Sequence, residues 1–422
     1  MKTHYQILII GGGTAGIMTA AQLKLKKRNA DIGIIEPSDK HAYQAAWTLV
    51  GAGTYNYDET IRPESSLIPK GVDWIQDYAD GLDPENNSVS TRASGKITYE
   101  YLVVCPGIQI DLDGIEGLRD ALGKGGVCSN YTDPEYTWKV LKEFEGGNAV
   151  FTQPATPIKC GGAPQKIMYL AEHYFRKNNL RDSANVIYAT PGSVIFGVKE
   201  FAKTLNKIII ERDIIFKPYY SPKKIDPKTK TIYFQYSEPG ENGCVINEGN
   251  KINERLEGDT TIAVPYDMLH LAPPQSAPDF IKNSPLAHQE GPSKGWLNVD
   301  INSLQHNVYL NVFGLGDSAA LPTAKTGAAV RKQVPVVVAN LLHLIANDSK
   351  IEKGYQGYSS CPLVTGYGKM VLAEFKYNNV RDSDPFLSKF VDTTKEQWSM
   401  WILKKYGLPY LYWNKMMKGE RV

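Results

Sequence analysis

Three glycines and five cysteines are the residues of this chain whose types and spacing could do chemistry. Gly11, Gly13 and Gly16 stand in GxGxxG spacing, and the cysteines are at positions 105, 128, 160, 244 and 361. In a GxGxxG turn the first glycine makes the tight bend. The second lets backbone N–H groups approach a pyrophosphate, and the third lets the following helix pack closely. Five scattered cysteines, an odd number in 422 residues, are not a secreted disulfide framework, so a disulfide here is expected to be catalytic. Cys160, in "TPIKCGGAPQK", and Cys361, in "YSSCPLVTG", lie 201 residues apart in turn-rich segments that carry proline. Such contexts suit thiols exposed at a site, but spacing leaves open whether they meet or are unrelated structural thiols. Cys105 reads as a core thiol. Cys244 reads as a loop residue without a role, in a polar stretch, 238–259, long enough to be an insertion.

The elements that must position these residues follow from apolar runs. "QILII" (6–10) reads as a strand buried on both faces of a parallel sheet. A helical pattern follows the glycines, with Thr14 and Ala15 in its first turn. The next strand, "DIGIIE", ends in Glu36, 20 residues after Gly16, where an acid takes ribose hydroxyls. The middle of the chain repeats the alternation: strand 148–152, helix 164–177, strand 185–189, helix 198–212. Its turn, "QPATPIKCGGAP", has two adjacent glycines, no third at the right offset, and prolines that remove amide donors. A second nucleotide-binding unit is therefore expected without nicotinamide chemistry, so electrons must enter from something other than NAD(P)H.

Composition narrows the class. The formal net charge of +2 argues against a nucleic-acid binder, and no metal site is expected. "MKTHYQILIIGGG" enters a strand within five residues with no signal or transit peptide ahead of it, and the longest apolar run, 334–346, is too short to span a bilayer. The segment 395–422 mixes six Lys/Arg with Trp398, Trp401, Trp413, Tyr406, Tyr410 and Tyr412, a pattern suited to helices lying in a lipid interface. The expected location is peripheral, on the cytoplasmic face of a bacterial inner membrane.

Two levels of resemblance sharpen this reading. "VYLNVFGLGDSAALPTAKTGAAVRKQ" (308–333) resembles the second fingerprint of flavoproteins built from two dinucleotide-binding domains. It implies FAD, with Asp317 on the ribityl chain, Gly316 beside it, and a helix beginning near Lys325 and Thr326 aimed at the flavin. "YEYLVVCPGIQI" (99–110) is similar to that family's strand and small-residue turn, which implies a contact from Gly107 although Cys-Pro-Gly replaces the usual Ala-Thr-Gly. The implied fold is α/β, with two Rossmann-like domains of the FAD/NAD-linked reductase type. Residues 1–112 and 292–375 form a discontinuous FAD-binding domain and 113–291 the second unit, followed by a C-terminal amphipathic helical segment, 376–422, for membrane and quinone.

The strings "HAYQAAWTLVGAG", "PIKCGGAPQKIMYLAEHYFRK", "PTAKTGAAV", "YSSCPLVTGYGKMVLAEF" and "PYLYWNKMM" resemble sulfide:quinone oxidoreductases through nearly the whole chain, closest to the branch that includes the mitochondrial enzyme. The resemblance implies a redox-active Cys160–Cys361 disulfide on one face of FAD and hydrosulfide attack that leaves a persulfide on Cys160 and a thiolate on Cys361. It also implies a second nucleophile for the outer sulfur (sulfite, glutathione, coenzyme A, cyanide or sulfide itself) and quinone as electron acceptor. Cys128 matches a further cysteine of bacterial members that aids sulfur handling, or else is a buried free thiol. Lys325 at the flavin helix, and Lys159 and Lys166 beside Cys160, either lower thiol pKa values or serve other roles, a solvated surface for the latter two. Phe375, Tyr377, Tyr410 and Trp413 are the candidate quinone residues. A homo-oligomer is compatible with the sequence. A type II NADH:quinone dehydrogenase and a flavin-containing redox sensor without turnover are the alternative readings.

Overall fold

Four parallel strands end in line, and the site grows from their carboxyl ends. A computed structural model describes residues 2–237 and 251–421; Cys244 and much of the 238–259 stretch lie outside the described residues. Strand His4–Ile10 pairs in parallel with Ile32–Ile35 on one side and Lys96–Val104 on the other, and Val312–Gly314 adds beyond the latter. The register places Ile10 opposite both Ile35 and Val104, and Gly314 opposite Val104. The glycine turn, Glu36, the Cys105–Gly107 turn and Gly316–Asp317 therefore emerge along one sheet edge. In open α/β sheets that edge is where ligands bind.

The second unit is a five-stranded parallel sheet in the order Val127–Cys128, Met268–His270, Gly147–Thr152, Ala184–Ala189, Ile215–Lys217. Helices Ala163–Lys177 and Lys199–Glu211 match the sequence reading to within a residue. Their apolar faces bury Ile167, Leu170, Phe175, Phe201 and Leu205. A four-stranded antiparallel sheet, Tyr220–Asp226 with Thr231–Tyr236, Thr261–Pro265 and Arg255–Glu257, flanks this unit.

Two elements differ from expectation. Cys361 sits not in a turn but in strand Ser359–Gly366, paired antiparallel with Lys369–Lys376 and packed on helix Ala163–Lys177; it is buried rather than exposed. The C-terminal segment folds back onto the first unit. Helix Trp398–Ile402 passes through a wide turn, residues 403–407, into helix Leu408–Asn414. Tyr412, Trp413, Met416 and Met417 join the core around the first sheet. Among the described residues one helix, Gly327–Ile345, is long and apolar enough to cross a membrane, longer than the apolar run 334–346. Its inner face, Val334, Val337, Val338 and Leu341, is sealed in the core, and it packs on helix Thr14–Lys26.

Candidate active site

Close backbone approach shapes the nucleotide end. A Cβ built on Gly16 would stand 1.8 Å from the Gly11 carbonyl oxygen, while Gly13 faces open space. Gly11 and Gly16 therefore serve packing, and Gly13 lines a cavity of about 690 Å3 together with Thr14, Ala15 and Glu36. The cavity runs past Gly107, Gly316, Asp317, Lys325 and Thr326 to Lys159 and Cys160. Helix Thr14–Lys26 presents a first turn with no acidic side chain and no side-chain cap, so its amides and its dipole are free for an anion. At the far end Thr326 caps its own helix through Ala329 N–H at 3.1 Å and bonds Ser359 Oγ at 2.8 Å, leaving Gly327 and Ala328 on the cavity wall. Open amide turns at both ends and an acid between them fit a flavin dinucleotide.

Charged groups between the two ends are shifted chiefly by burial. Glu36 is raised by burial, opposed by hydrogen bonds from Ser38 and Gly12 N–H, each at 2.8 Å. Burial also raises Asp317, with Lys325 and Lys159 acting against it. The Lys325 ammonium is pushed down to about 8 by burial, opposed by Asp317. It donates to the Ala319 carbonyl at 2.8 Å and lies 4.1 Å over the Trp296 ring. Lys159 bonds Gln44.

The sulfur end is built on one strained residue. Cys160 holds a left-handed φ of 51°, a conformation that costs a residue with a Cβ about 1–2 kcal/mol. It is held there because Cys160 N–H donates to the Lys325 carbonyl and its own carbonyl accepts from Ala163 N–H, both at 2.7 Å. The first contact ties the cysteine turn to the loop before the flavin helix, with Lys159 and Lys325 in a parallel bridge. Gly162 brings the second sulfur in: a Cβ there would stand 2.3 Å from Cys361 Sγ, so only glycine lets the strand approach.

Cys160 and Cys361 meet. Both are unbonded thiols here, packed in one cluster, and each sulfur is the leading influence on the other's pKa. Lys166, buried to 1% exposure rather than solvated, puts its Nζ 2.9 Å from Cys160 Sγ. The neighbouring Cys361 thiol and the Lys166 charge hold Cys160 well below the ordinary thiol range against the opposing effect of burial. The Cys160 sulfur and burial hold Cys361 well above that range. The negative charge therefore rests on Cys160, the sulfur that lines the cavity; Cys361 stands behind it, 2% exposed. Lys404, from the C-terminal segment, reaches the same place. Its Nζ donates to the Ala45 carbonyl at 2.7 Å, and burial followed by repulsion from Lys166 pushes it down to about 7.

The remaining sequence candidates lie elsewhere. Cys128 is fully buried in its strand and outside the cavity, with its thiol pushed up to about 12 by burial. Cys105 is buried beneath the glycine turn. None of Phe375, Tyr377, Tyr410 and Trp413 lines the cavity. Phe375 packs edge-on to Phe196, Tyr377 bonds the Ile301 carbonyl at 2.6 Å, Tyr410 faces solvent, and Trp413 stacks under Arg62. The C-terminal wall is instead Leu403, Lys404, Leu408, Leu411, Tyr412 and Met416. Sequence reasoning missed Lys404, Glu64 and His41, because nothing in their local spacing marks groups that the fold brings together, His41 with Glu64 across 23 residues and with Tyr412 across 371.

The family of pyridine nucleotide-disulphide oxidoreductases matches residues 5–148. The chain is 42% identical to the mitochondrial sulfide:quinone oxidoreductase of Mus musculus over 99% of its length and 87% of the relative. It is 40% identical to that of Dictyostelium discoideum over 100% of its length and 87% of the relative. In fold it is similar to the solved sulfide:quinone oxidoreductase of Aquifex aeolicus, with a TM-score of 0.77 at 19% identity over 100% of this chain and 92% of that one. The bacterial inner membrane expected above does not stand, since these full-length relatives are mitochondrial enzymes of eukaryotes. With this degree of identity over nearly the whole chain, the protein is a flavin-dependent oxidoreductase and belongs to the sulfide:quinone oxidoreductase family.

Proposed function

We propose that the chain oxidises sulfide at Cys160 and Cys361 with FAD as its flavin, and passes the electrons to quinone at a mitochondrial membrane. The observation that carries this is the Lys166 ammonium 2.9 Å from Cys160 Sγ, at the end of the dinucleotide cavity, with the Cys361 thiol buried behind. Gly13, Thr14, Ala15 and Glu36 would hold the adenosine diphosphate half, and Gly316, Asp317, Lys325 and Thr326 the flavin half. FAD, when bound, supplies a two-electron acceptor beside the sulfurs.

The residues do the rest. Hydrosulfide attacks one sulfur of the Cys160–Cys361 disulfide; one S–S bond forms as the other breaks, leaving a persulfide and a thiolate. Disulfide exchange needs access to the sulfur that is attacked. Cys160 faces the cavity, whereas Cys361 stands buried behind it. The attack therefore falls on Cys160, which carries the persulfide, and Cys361 leaves as the thiolate. A second nucleophile, such as sulfite, glutathione, coenzyme A, cyanide or sulfide, takes the outer sulfur, and re-forming the disulfide releases two electrons and two protons. Lys404, titrating near neutrality, is placed to take one of those protons.

Leu387, Leu403, Leu408 and Leu411 form an apolar stretch of the wall suited to a quinone ring. Phe386, Phe390, Trp398, Tyr406 and Tyr410 are exposed on the same C-terminal segment, which suits contact with a bilayer surface. Anaerobic stopped-flow mixing tests the reading. Sulfide should bleach the bound flavin within the dead time of steady turnover, and added quinone should restore its colour. Bleaching by NADH as fast as by sulfide would refute it.

A further inference from the structure

Glu64 is buried to 1% exposure, yet one of its carboxylate oxygens, Oε1, has no hydrogen-bond partner among the described residues. The other, Oε2, bonds His41 Nδ1 at 3.1 Å. A buried acceptor left without a donor costs about 1–3 kcal/mol, so the site is incomplete as it stands. The unpaired oxygen points at the nucleotide turn. A Cβ built on Gly12 would stand 2.6 Å from Glu64 Oε1 and 2.7 Å from Glu36 Cγ. Gly12, Glu36 and Glu64 all line the cavity, and the two acids crowd the same face of Gly12.

Glu64 is also tied to the far end of the chain. His41 Nε2 lies 2.6 Å from the Tyr412 hydroxyl, which lies 2.8 Å from Thr14 Oγ1. A continuous chain of hydrogen bonds thus runs from Glu64 through His41 to helix Leu408–Asn414, and back to the first turn of helix Thr14–Lys26. His41 and Tyr412 are both buried, so water does not substitute for either.

We infer that Glu64 accepts a hydrogen bond from a ribose hydroxyl of the adenosine half of the dinucleotide, sharing that sugar with Glu36. His41 and Tyr412 are positioning residues, which makes retention of the cofactor depend on the C-terminal helix. A carboxylate repels phosphate, and the acid at Glu36 already places the sugar here; the ribose is the hydroxyl donor within reach of both acids. The inference rests on FAD as the flavin, proposed above.

The test is equilibrium binding of FAD to the full-length protein stripped of flavin, without sulfide or quinone. It compares FAD with analogues that lack the ribose 2′ or 3′ hydroxyl. A hydrogen bond to a charged acceptor corresponds to about a 10- to 100-fold change in Kd. Wild-type protein should bind one analogue weaker by that factor. Glu64→Leu should bind FAD weaker by a similar factor and no longer distinguish that analogue from FAD. Tyr412→Phe should lose about 2- to 10-fold in affinity, with a reduced preference for the hydroxyl. Should Glu64→Leu not fold, as judged by circular dichroism, Glu64→Gln replaces it, and its weaker neutral acceptor should narrow the preference several-fold. Wild-type affinity in the Glu64 variant, or weakened binding that still discriminates the hydroxyl as wild type does, would overturn the inference alone. Wild-type protein that binds no FAD overturns the cofactor reading and this inference with it.

Discussion

Replacing Lys166 by Met removes an ammonium in direct contact with Cys160, and the size of the effect can be worked from the structure. At 2.9 Å and an effective dielectric of about 20, the pair attracts with about 6 kcal/mol before desolvation. Burial of both groups opposes that attraction, and Lys404 remains nearby, so the net effect of the substitution is a rise of the Cys160 thiol toward the ordinary range. The sign is that of a group whose folded pKa is depressed: the thiolate is populated above the folded pKa and lost as pH falls through it. Even an ordinary thiol near 8.5 is about 3% ionised at pH 7. Alkylation of Cys160 at that pH should therefore slow, by about 30-fold where the thiol returns to the ordinary range, and its profile should move to higher pH. The assay is iodoacetamide modification of reduced enzyme in a Cys361→Ser background, where a serine hydroxyl replaces the second thiol. The Cys160 peptide is followed by mass spectrometry between pH 5 and 10. Lys166→Arg should restore part of the low-pH reactivity. An alkylation profile for Lys166→Met that overlays that of wild type would refute the assignment of the charge to Cys160.

Three further outcomes follow from the same geometry. Cys160→Ser and Cys361→Ser should each abolish reduction of the flavin by sulfide while the flavin spectrum persists, whereas Cys128→Ser, a change outside the cavity, should leave turnover within about twofold; loss of turnover in the last would return Cys128 to the chemistry. Lys404 has a folded pKa near 7 against about 10.4 unfolded, so above pH 7 the unfolded chain binds a proton the native state lacks. Stability of the wild type relative to Lys404→Met should therefore rise between pH 7 and 10, checked by thermal unfolding across that range, and a flat difference would contradict the burial. Phe386→Ser combined with Phe390→Ser removes two exposed rings. It should lower co-sedimentation with anionic vesicles and slow quinone reduction, with sulfide reduction of the flavin unchanged; equal vesicle binding would contradict membrane contact there.

Local pattern was sufficient for the elements of the nucleotide-binding frame. Strand, glycine turn, helix and acid fall within 36 residues, and the helix after Thr326 begins where its cap sits. Short-range periodicity and backbone crowding decide such features, and both are written in adjacent residues. The strand carrying Cys361 was not legible in this way. "YSSCPLVTG" contains a proline and small residues that read as a turn, and only pairing with Lys369–Lys376 and packing on helix Ala163–Lys177 make it an extended, buried segment.

The sequence by itself determined that a dinucleotide turn, an acid and two conspicuous cysteines were present, and it shows no second glycine fingerprint in the turn around Cys160. It also carried the family likeness through strings such as "PIKCGGAPQK" and "SSCPLVTGYG". Tertiary structure alone decided that the two sulfurs touch, because Gly162 admits Cys361 and the Lys325 carbonyl pins Cys160. It alone decided that Lys166 is buried at the sulfur, and that Lys404 and Tyr412 return from the C-terminus to the cavity. Burial and Coulomb coupling act through space at a few ångströms: Lys166 is only six residues from Cys160, yet its burial at the sulfur depends on packing by Cys361 and Lys404 from hundreds of residues away.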